Sequence, residues 1–294
     1  MIDHTLIQLD DTRKWDNFLF KEGVRVLLSF SFIKLASSKG VYSMHPLIHA
    51  WGRDRMFSED RQKYSLMAYV TLAGSLPEDF DEQPYQFRRI LVTHLRANTQ
   101  HSIVANKEIV DRYFDDAHEK FGGLLMEQGY DIEAEKFHIQ VLDVRSRTLG
   151  EEHPDSISAM GTLACTYGSL GKCADAEKLE IKVLDLRNRF LGEEHLNTVW
   201  AMGNLSNTYK SLGKYAEAEK LETQVLDMRN RLLGEEHPDT ITAMSNLAVT
   251  YKTLGKYVDA EKLEIKVLDL RNKLLGGEHP DTITAMSNLA VMYI

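Results

Sequence analysis

The sequence of 294 residues is poor in cysteine and proline, has no excess of positive charge and contains no long apolar run. Its two cysteines, Cys165 and Cys173, cannot form a disulfide framework and are typical of a reducing compartment. Six prolines and the lack of compositionally biased tracts argue against a long disordered segment. The net charge of −9 argues against nonspecific nucleic-acid binding, which needs a basic surface. The N-terminus has no secretory signal, and the apolar stretch at 24–35 is too short to span a bilayer. We therefore expect a cytoplasmic protein with no nucleic-acid or membrane partner.

A unit of 42 residues repeats along the C-terminal part of the sequence. The phrase LGEEHPD at Leu149–Asp155 returns with few changes, so that its first glycine stands at positions 150, 192, 234 and 276. The blocks that begin at His195 and His237 share 27 identical residues out of 42. A constant period of this length indicates a solenoid, in which each unit packs against its neighbours.

Each unit is predicted to be a pair of helices. In the unit that begins at His237, Pro238 and Asp239 suit the first helical turn. Gly255 is predicted to end the first helix, and Gly276 the second. The predicted apolar positions are Ala243, Met244, Leu247, Tyr251 and Leu254 in the first helix, and Tyr257, Ala260, Leu263, Val267, Leu268 and Leu274 in the second. A degenerate earlier unit is predicted over 112–150.

This pattern resembles the tetratricopeptide repeat, whose signature is met by Leu247, Ala248, Tyr251, Gly255, Tyr257 and Ala260. The 42-residue length and the LGxEHPDT linker resemble the kinesin-light-chain type of this repeat. The resemblance covers about Arg112 to Ile294. It implies an all-α fold, a right-handed α-solenoid of helical hairpins over 112–294, with a concave groove lined by the first helices.

The sequence stops at Ile294 within a predicted first helix. Neither a second helix nor a polar cap follows, and solenoids need a capping face for solubility. We therefore expect a fragment or a truncated gene product, and self-association through the uncapped C-terminal end.

Residues 1–59 do not follow the repeat. A helix at Trp15–Phe30, short strands at Ser31–Leu35 and Val41–Met44, and a helix from Pro46 predict a small winged-helix-like module. The segment SMHPLIHAWGRDRM resembles the end of the winged-helix part of NB-ARC proteins, the nucleotide switches of NLR-like STAND ATPases. That resemblance implies that His45 senses the β-phosphate of a nucleotide, although a proline follows it where the family commonly has aspartate.

Residues 60–111 are predicted to be a helical connector that masks the end of the solenoid. The segment FRRILVTHLRA in this region resembles the connector of the same NLR-like family. No G-x-x-x-x-G-K-[ST] phosphate-binding motif occurs anywhere in the sequence. We therefore expect the chain to hold no cofactor and to hydrolyse no nucleotide.

Three sets of residues could carry chemistry, namely the loop histidines, the two cysteines and the recurring glutamates and arginines, and for each set a structural role is favoured. Neighbouring repeats are roughly 20 Å apart, so one metal ion cannot bridge the loop histidines, and no metal site is expected. The two cysteines have no activating partner in register. The last pattern places a glutamate and, seven residues later, an arginine on one helix face. It is interpreted as an ion pair or a snorkelling contact across stacked helices, worth about 0–1 kcal/mol where exposed, rather than as an acid–base pair. The residues are His153, His195, His237 and His279 for the first pattern, and Glu180, Glu222, Glu264, Arg187, Arg229 and Arg271 for the last.

The first helices carry a polar face, which the resemblance places in the concave groove. An asparagine ladder on this face, Asn204, Asn246 and Asn288, can donate to and accept from an extended peptide backbone. Alternatively, these amides bridge adjacent helices and bind nothing. The other predicted groove residues are Lys210 and Lys252 as carboxylate partners, Trp200 as an aromatic anchor, and Asn207, Thr242 and Val249.

The sequence favours a non-catalytic scaffold that binds a peptide or a protein surface in its groove. A first alternative is the sensor or regulatory arm of an NLR-like switch whose P-loop core lies outside this chain. A second alternative is a kinesin-light-chain-like cargo adaptor, although no sustained heptad pattern precedes the repeats.

Overall fold

The computed structural model describes residues 33–35, 42–44, 57, 68–69, 72–74, 76, 85–99 and 107–291. The chain divides into two compact units, Met1–Ala68 and Tyr69–Ile294. In the first unit, strands β1 (Ile33–Leu35) and β2 (Tyr42–Met44) form an antiparallel pair. This confirms the predicted hairpin. The flanking helices that would complete a winged-helix-like module lie outside the described residues, and so does His45.

The described part of the second unit consists of helices that pack in chain order. They are α1 (Tyr85–Thr99), α2 (Lys107–Glu127), α3 (Asp131–Thr148), α4 (Pro154–Ser169), α5 (Cys173–Leu191), α6 (Leu196–Ser211), α7 (Tyr215–Leu233), α8 (Pro238–Thr253), α9 (Tyr257–Leu275) and α10 (Pro280–Ala290). Helices α4 to α9 form three complete repeats, and α2 with α3 forms the degenerate unit. The predicted solenoid of helical hairpins is confirmed.

Glycines and histidines set the ends of the helices. Gly255 has a φ of 75° and lies between α8 and α9, and Gly276 ends α9 with a φ of 86°. Both values are in the region that glycine enters without the steric cost of a Cβ. At the start of α8, His237 Nδ1 accepts a hydrogen bond from the backbone N–H of Asp239 at 3.1 Å. The equivalent histidine caps α4, α6 and α10 in the same way. The predicted structural role of these histidines is therefore confirmed.

Each repeat shares its core with the next one. Val199 and Met202 of α6 pack with Val225 and Met228 of α7, and Ala243 of the following α8 completes this cluster. The same pattern recurs one repeat earlier and one repeat later. A single helical hairpin cannot cover this apolar face, so burial depends on stacking.

The connector covers one end of the stack. Tyr69 and Leu76 pack with Leu91 and Leu95 of α1 in a buried cluster that also contains Phe121 of α2. Arg88 of α1 forms an ion pair with Glu127 at 2.6 Å. Described residues of the connector and of α1 thus pack against the apolar residues of the degenerate unit.

Two predicted apolar positions are wrong. Tyr257 is 61% exposed and Leu274 is 43% exposed. Both lie in the terminal turns of α9, where the helix is flanked by polar loops rather than by neighbouring helices. The middle of the same helix behaves as predicted, because Ala260 and Val267 are fully buried.

Candidate functional site

A cavity of about 470 Å³ lies between the first and second helices of consecutive repeats. Its walls come from α4, α6 and α8, and residues of α5 and α7 also line it. The structure brings together five of the predicted groove residues here, namely Trp200, Asn204, Asn207, Thr242 and Asn246. Trp200 is 51% exposed and offers an aromatic face to a ligand. The predicted polar face therefore lines a concavity large enough for side chains of a bound segment.

The structure places the other predicted groove residues outside this cavity. Val249 is half exposed and does not line it. Asn288 hydrogen-bonds the Glu264 carboxylate, so this member of the asparagine ladder bridges neighbouring helices. Asn204, a ladder residue that lines the cavity, differs from Asn288: its side-chain amide points at the Cys165 sulfur, 3.8 Å away, and the residue is exposed.

The prediction that Lys210 offers its ammonium group to a carboxylate of a ligand needs correction. Lys210 Nζ lies 2.8 Å from Glu222 Oε1, in an ion pair whose carboxylate is buried. For Lys252 the same role stays a prediction, although its charge favours the ionised form of Glu264, a carboxyl whose pKa is raised by burial. Sequence spacing alone did not show that Lys210 faces the glutamate twelve residues later in its own repeat.

Two arginines that the sequence analysis did not assign to the groove line the cavity. Arg187 and Arg229 are half-buried, and each donates from Nη1 to a backbone carbonyl, of Asn197 at 2.7 Å and of Asp239 at 2.9 Å. Burial lowers the pKa of both guanidinium groups. Among the described residues, Arg229 Nε is buried without a hydrogen-bond partner. The cavity therefore presents two guanidinium groups, and Arg229 Nε has unused donor capacity.

The degenerate unit shows what such an arginine binds when carboxylates are present. Arg145 of α3 occupies the equivalent position and also reaches a carbonyl oxygen of the next repeat, that of Asp155. Its Nε lies 2.9 Å from Asp115 Oδ2, and its Nη2 lies 2.6 Å from Glu119 Oε2. In the first and second complete repeats, the position of Glu119 is taken by a glycine, Gly161 and Gly203 respectively. A Cβ added at either glycine would meet nothing within 4 Å, so the space that Glu119 fills in the first unit is open there.

The recurring glutamates lie on the buried side of the second helices. Glu180, Glu222 and Glu264 are all buried, and burial raises the pKa of Glu180 and Glu264. Glu180 and Glu222 line the cavity beside the arginines. Of the two interpretations, the contact across stacked helices holds for Arg187 and Arg229, which reach backbone carbonyls of the next repeat, whereas neither is seen to pair with a glutamate of this set. The two residue types share a helix face, but the arginines donate to backbone carbonyls and the glutamates contact the first helices.

The described residues contain no cluster of histidine, cysteine or carboxylate side chains that could hold a metal ion. Within those same residues, no helix combines the length and the apolar character that a bilayer crossing requires. Cys165 lines the cavity. Desolvation of its sulfur raises the pKa of the thiol, so the thiol is not activated as a thiolate.

Comparisons with known proteins agree with this architecture. One sequence model of the tetratricopeptide repeat matches residues 115–188, and another matches residues 198–239 and 240–281. Together they cover more than half of the chain. The chain belongs to the tetratricopeptide repeat proteins. A comparison with curated protein sequences found no match.

Solved structures of kinesin-light-chain-type repeats resemble this tetratricopeptide protein. One is the crystal structure of nearly identical TPR-like repeats from a Podosopora anserina protein described as a kinesin light chain. It has 26% sequence identity and a TM-score of 0.55, over 60% of this chain and 84% of that one. A substituted form of the same protein has 26% sequence identity and a TM-score of 0.57, over 64% of this chain and 88% of that one. BtubC (BKLC) from P. vanneervenii has 20% identity and a TM-score of 0.55, over 81% and 84%, a likeness of fold alone.

Proposed function

We propose that this tetratricopeptide protein is a non-catalytic scaffold that binds an extended, acidic segment of a partner protein in the cavity between its repeats. The observation that carries the proposal is the pair of half-buried guanidinium groups, Arg187 and Arg229, in one concave site. A carboxylate from a partner would restore the charge-assisted hydrogen bonds that Arg145 makes within the chain.

The choice of a carboxylate rests on the contrast between repeats. Arg145 uses Nε, Nη1 and Nη2 to bind Asp115 and Glu119. Arg229 has only the backbone carbonyl of Asp239 for Nη1 and leaves its buried Nε without a partner among the described residues. A buried donor without an acceptor is costly, and an incoming carboxylate removes that cost. Acidic side chains of a bound segment are therefore the chemistry that fits best.

The polar and aromatic residues of the cavity supply the remaining contacts. The side-chain amides of Asn204 and Asn246 can pair with the backbone of an extended chain, which presents a donor and an acceptor at every residue. Trp200 is exposed at the cavity and is the type of residue that anchors protein interfaces. The asparagines would thus bind the backbone of the partner segment and Trp200 one of its side chains, whereas the arginines would select acidic side chains.

The test uses a fluorescent library of random twelve-residue peptides on an array. We expect the bound peptides to be enriched in aspartate and glutamate. Arg229→Gln in combination with Arg187→Gln should abolish that enrichment, and Asn204→Ala with Asn246→Ala should weaken binding of all selected peptides. Arg231→Gln is the matched control, because Arg231 pairs with Glu194 at an exposed site outside the cavity. If the array shows no binding, or if Arg231→Gln has the same effect, the proposed function is wrong.

A second test installs the carboxylate within the chain. Gly203→Glu places a glutamate where Glu119 stands relative to Arg145, and an added Cβ at Gly203 meets no atom within 4 Å. The new side chain should pair with Arg229 and reduce binding of acidic peptides by about tenfold, which corresponds to ~1.4 kcal/mol. Gly203→Gln is the control for size and helix propensity. Equal binding by the two variants would show that Arg229 does not hold the acidic residue.

Two more specific functions remain candidates beside the scaffold. A kinesin-light-chain-like cargo adaptor is supported by the 26% identity to the Podosopora anserina repeats, and binding to purified kinesin heavy chain would test it. A sensor arm of an NLR-like switch is supported only by the sequence around His45. Titration calorimetry of the chain with ADP and ATP, and a search for a P-loop upstream in the gene, would test that candidate. A cytoplasmic location stays a prediction.

A further inference from the structure

Each second helix places one buried glutamate against the first helix of its own repeat. In the second complete repeat, a lysine twelve residues earlier in the chain faces that glutamate, and Lys210 Nζ lies 2.8 Å from Glu222 Oε1. Lys252 holds the same position in the third complete repeat, where its charge favours the ionised form of Glu264. The ion pair of the second complete repeat thus shows that this carboxylate position accepts an ammonium group.

The first complete repeat has the carboxylate but lacks the lysine. Glu180 is the equivalent glutamate, and the residue twelve positions earlier is Gly168. Gly168 is exposed, and a Cβ added to it would meet nothing within 4 Å. Glycine has no side chain, so the first complete repeat cannot place a cation against Glu180 from this position as Lys210 does against Glu222.

The Glu180 carboxylate is incompletely satisfied. The side chain is only 5% exposed, and its Oε2 is buried without a hydrogen-bond partner among the described residues. Thr208 of the next repeat hydrogen-bonds the carboxylate, while Glu177 on the same helix repels its charge. Arg187 lines the same cavity, but its guanidinium group donates to the carbonyl oxygen of Asn197. Burial raises the pKa of Glu180, because it disfavours the charged form of the carboxyl.

We propose that Glu180 and the open position at Gly168 form a subsite for the ammonium group of a lysine side chain in the bound segment. The lysine would enter the cavity and occupy the place that Lys210 takes against Glu222 in the next repeat. This inference rests on the proposed function, because it assigns a second charge to the same partner. The bound segment would carry a basic residue for Glu180 beside acidic residues for Arg187 and Arg229.

The test repeats the peptide array with a variant that supplies the missing lysine. In the natural chain we expect the bound peptides to be enriched in lysine at one position as well as in aspartate and glutamate. Gly168→Lys should remove the lysine enrichment and leave the acidic enrichment intact. Gly168→Gln, with a side chain of similar length and no charge, should preserve both. Glu180→Gln should also remove the lysine enrichment, and it tests the carboxylate directly.

The thermal midpoint gives a readout that needs no peptide. Gly168→Lys should melt about 2–4 °C higher than Gly168→Gln, because its ammonium group pairs with a buried carboxylate. In a Glu180→Gln background this difference should vanish. Peptides that are acidic but show no lysine preference would overturn the subsite and leave the proposed function standing. A failure of all peptides to bind would overturn the proposed function instead, and equal midpoints would refute the pairing itself.

Discussion

Gly122 of α2 lies against the buried ring of His138, and its replacement tests how tightly the degenerate unit is packed. A Cβ at Gly122 would lie 2.2 Å from His138 Nε2 and 2.5 Å from Cδ2. The ring is 2% exposed, and its Nδ1 lies 2.7 Å from Thr166 Oγ1, so it has little room to move. Overpacking of this kind costs about 1–3 kcal/mol, against about 1 kcal/mol gained by alanine over glycine in a helix. Gly122→Ala should therefore destabilise the protein by up to about 2 kcal/mol.

The sign of this effect should reverse when the ring is removed. In a His138→Ala background the clash is absent, so Gly122→Ala should stabilise the protein by about 0.5–1 kcal/mol through helix propensity alone. Gly203→Ala is the matched control, because its Cβ would meet open space, and it should stabilise the natural chain by a similar amount. Hydrogen exchange of the amides in α2 and α3 measures the free energy of local unfolding. The reasoning is refuted if Gly122→Ala has the same sign in both backgrounds.

Two further predictions concern protonation and backbone conformation. Burial lowers the pKa of His138. The unfolded chain therefore binds a proton that the folded chain does not, and the free energy of unfolding should fall as the pH drops below about 6.5. The fall should be smaller in His138→Ala. Chemical denaturation at several pH values measures the free energy of unfolding of both proteins. Gly234 ends α7 with a φ of 88° and a ψ of 164°. Gly234→Ala should cost about 1–3 kcal/mol, opposite in sign to Gly203→Ala, as the thermal midpoints of the two variants would show.

The helix boundaries could be predicted from the sequence because the signals that set them are local. Glycine at positive φ, proline in the first turn and a capping side chain act within a few residues of the helix end. Gly255 and Pro238 therefore marked the ends of α8 correctly. The stacking of repeats followed from the 42-residue period, because a hairpin whose apolar face is uncovered needs a neighbour.

The electrostatics of the groove could not be predicted in the same way. Spacing along a helix shows that Glu222 and Arg229 share a face, but not which neighbouring helix that face meets. The answer depends on the rotation of each second helix against two first helices, one in its own repeat and one in the next. Only the structure shows that Lys210 belongs to Glu222, and that Arg229 reaches the carbonyl oxygen of Asp239.

The divergence among repeats is concentrated on the exposed side of the first helices, and this argues for one binding register. Several buried positions keep the same residue in each complete repeat, as at Leu163, Leu205 and Leu247, and others change only to a residue of similar size, because a change of volume in a stacked core is costly. Positions that face outward differ, as at Ser158, Trp200 and Thr242, at Cys165, Asn207 and Val249, and at Gly168, Lys210 and Lys252. An unvarying groove would let an extended ligand slide by one repeat without changing its contacts. In the proposed binding mode, such a slide would move the ligand's aromatic contact away from Trp200 and its basic residue from Glu180 to Glu222, which is already paired with Lys210. The variation would therefore fix where a bound segment sits on repeats whose core is periodic.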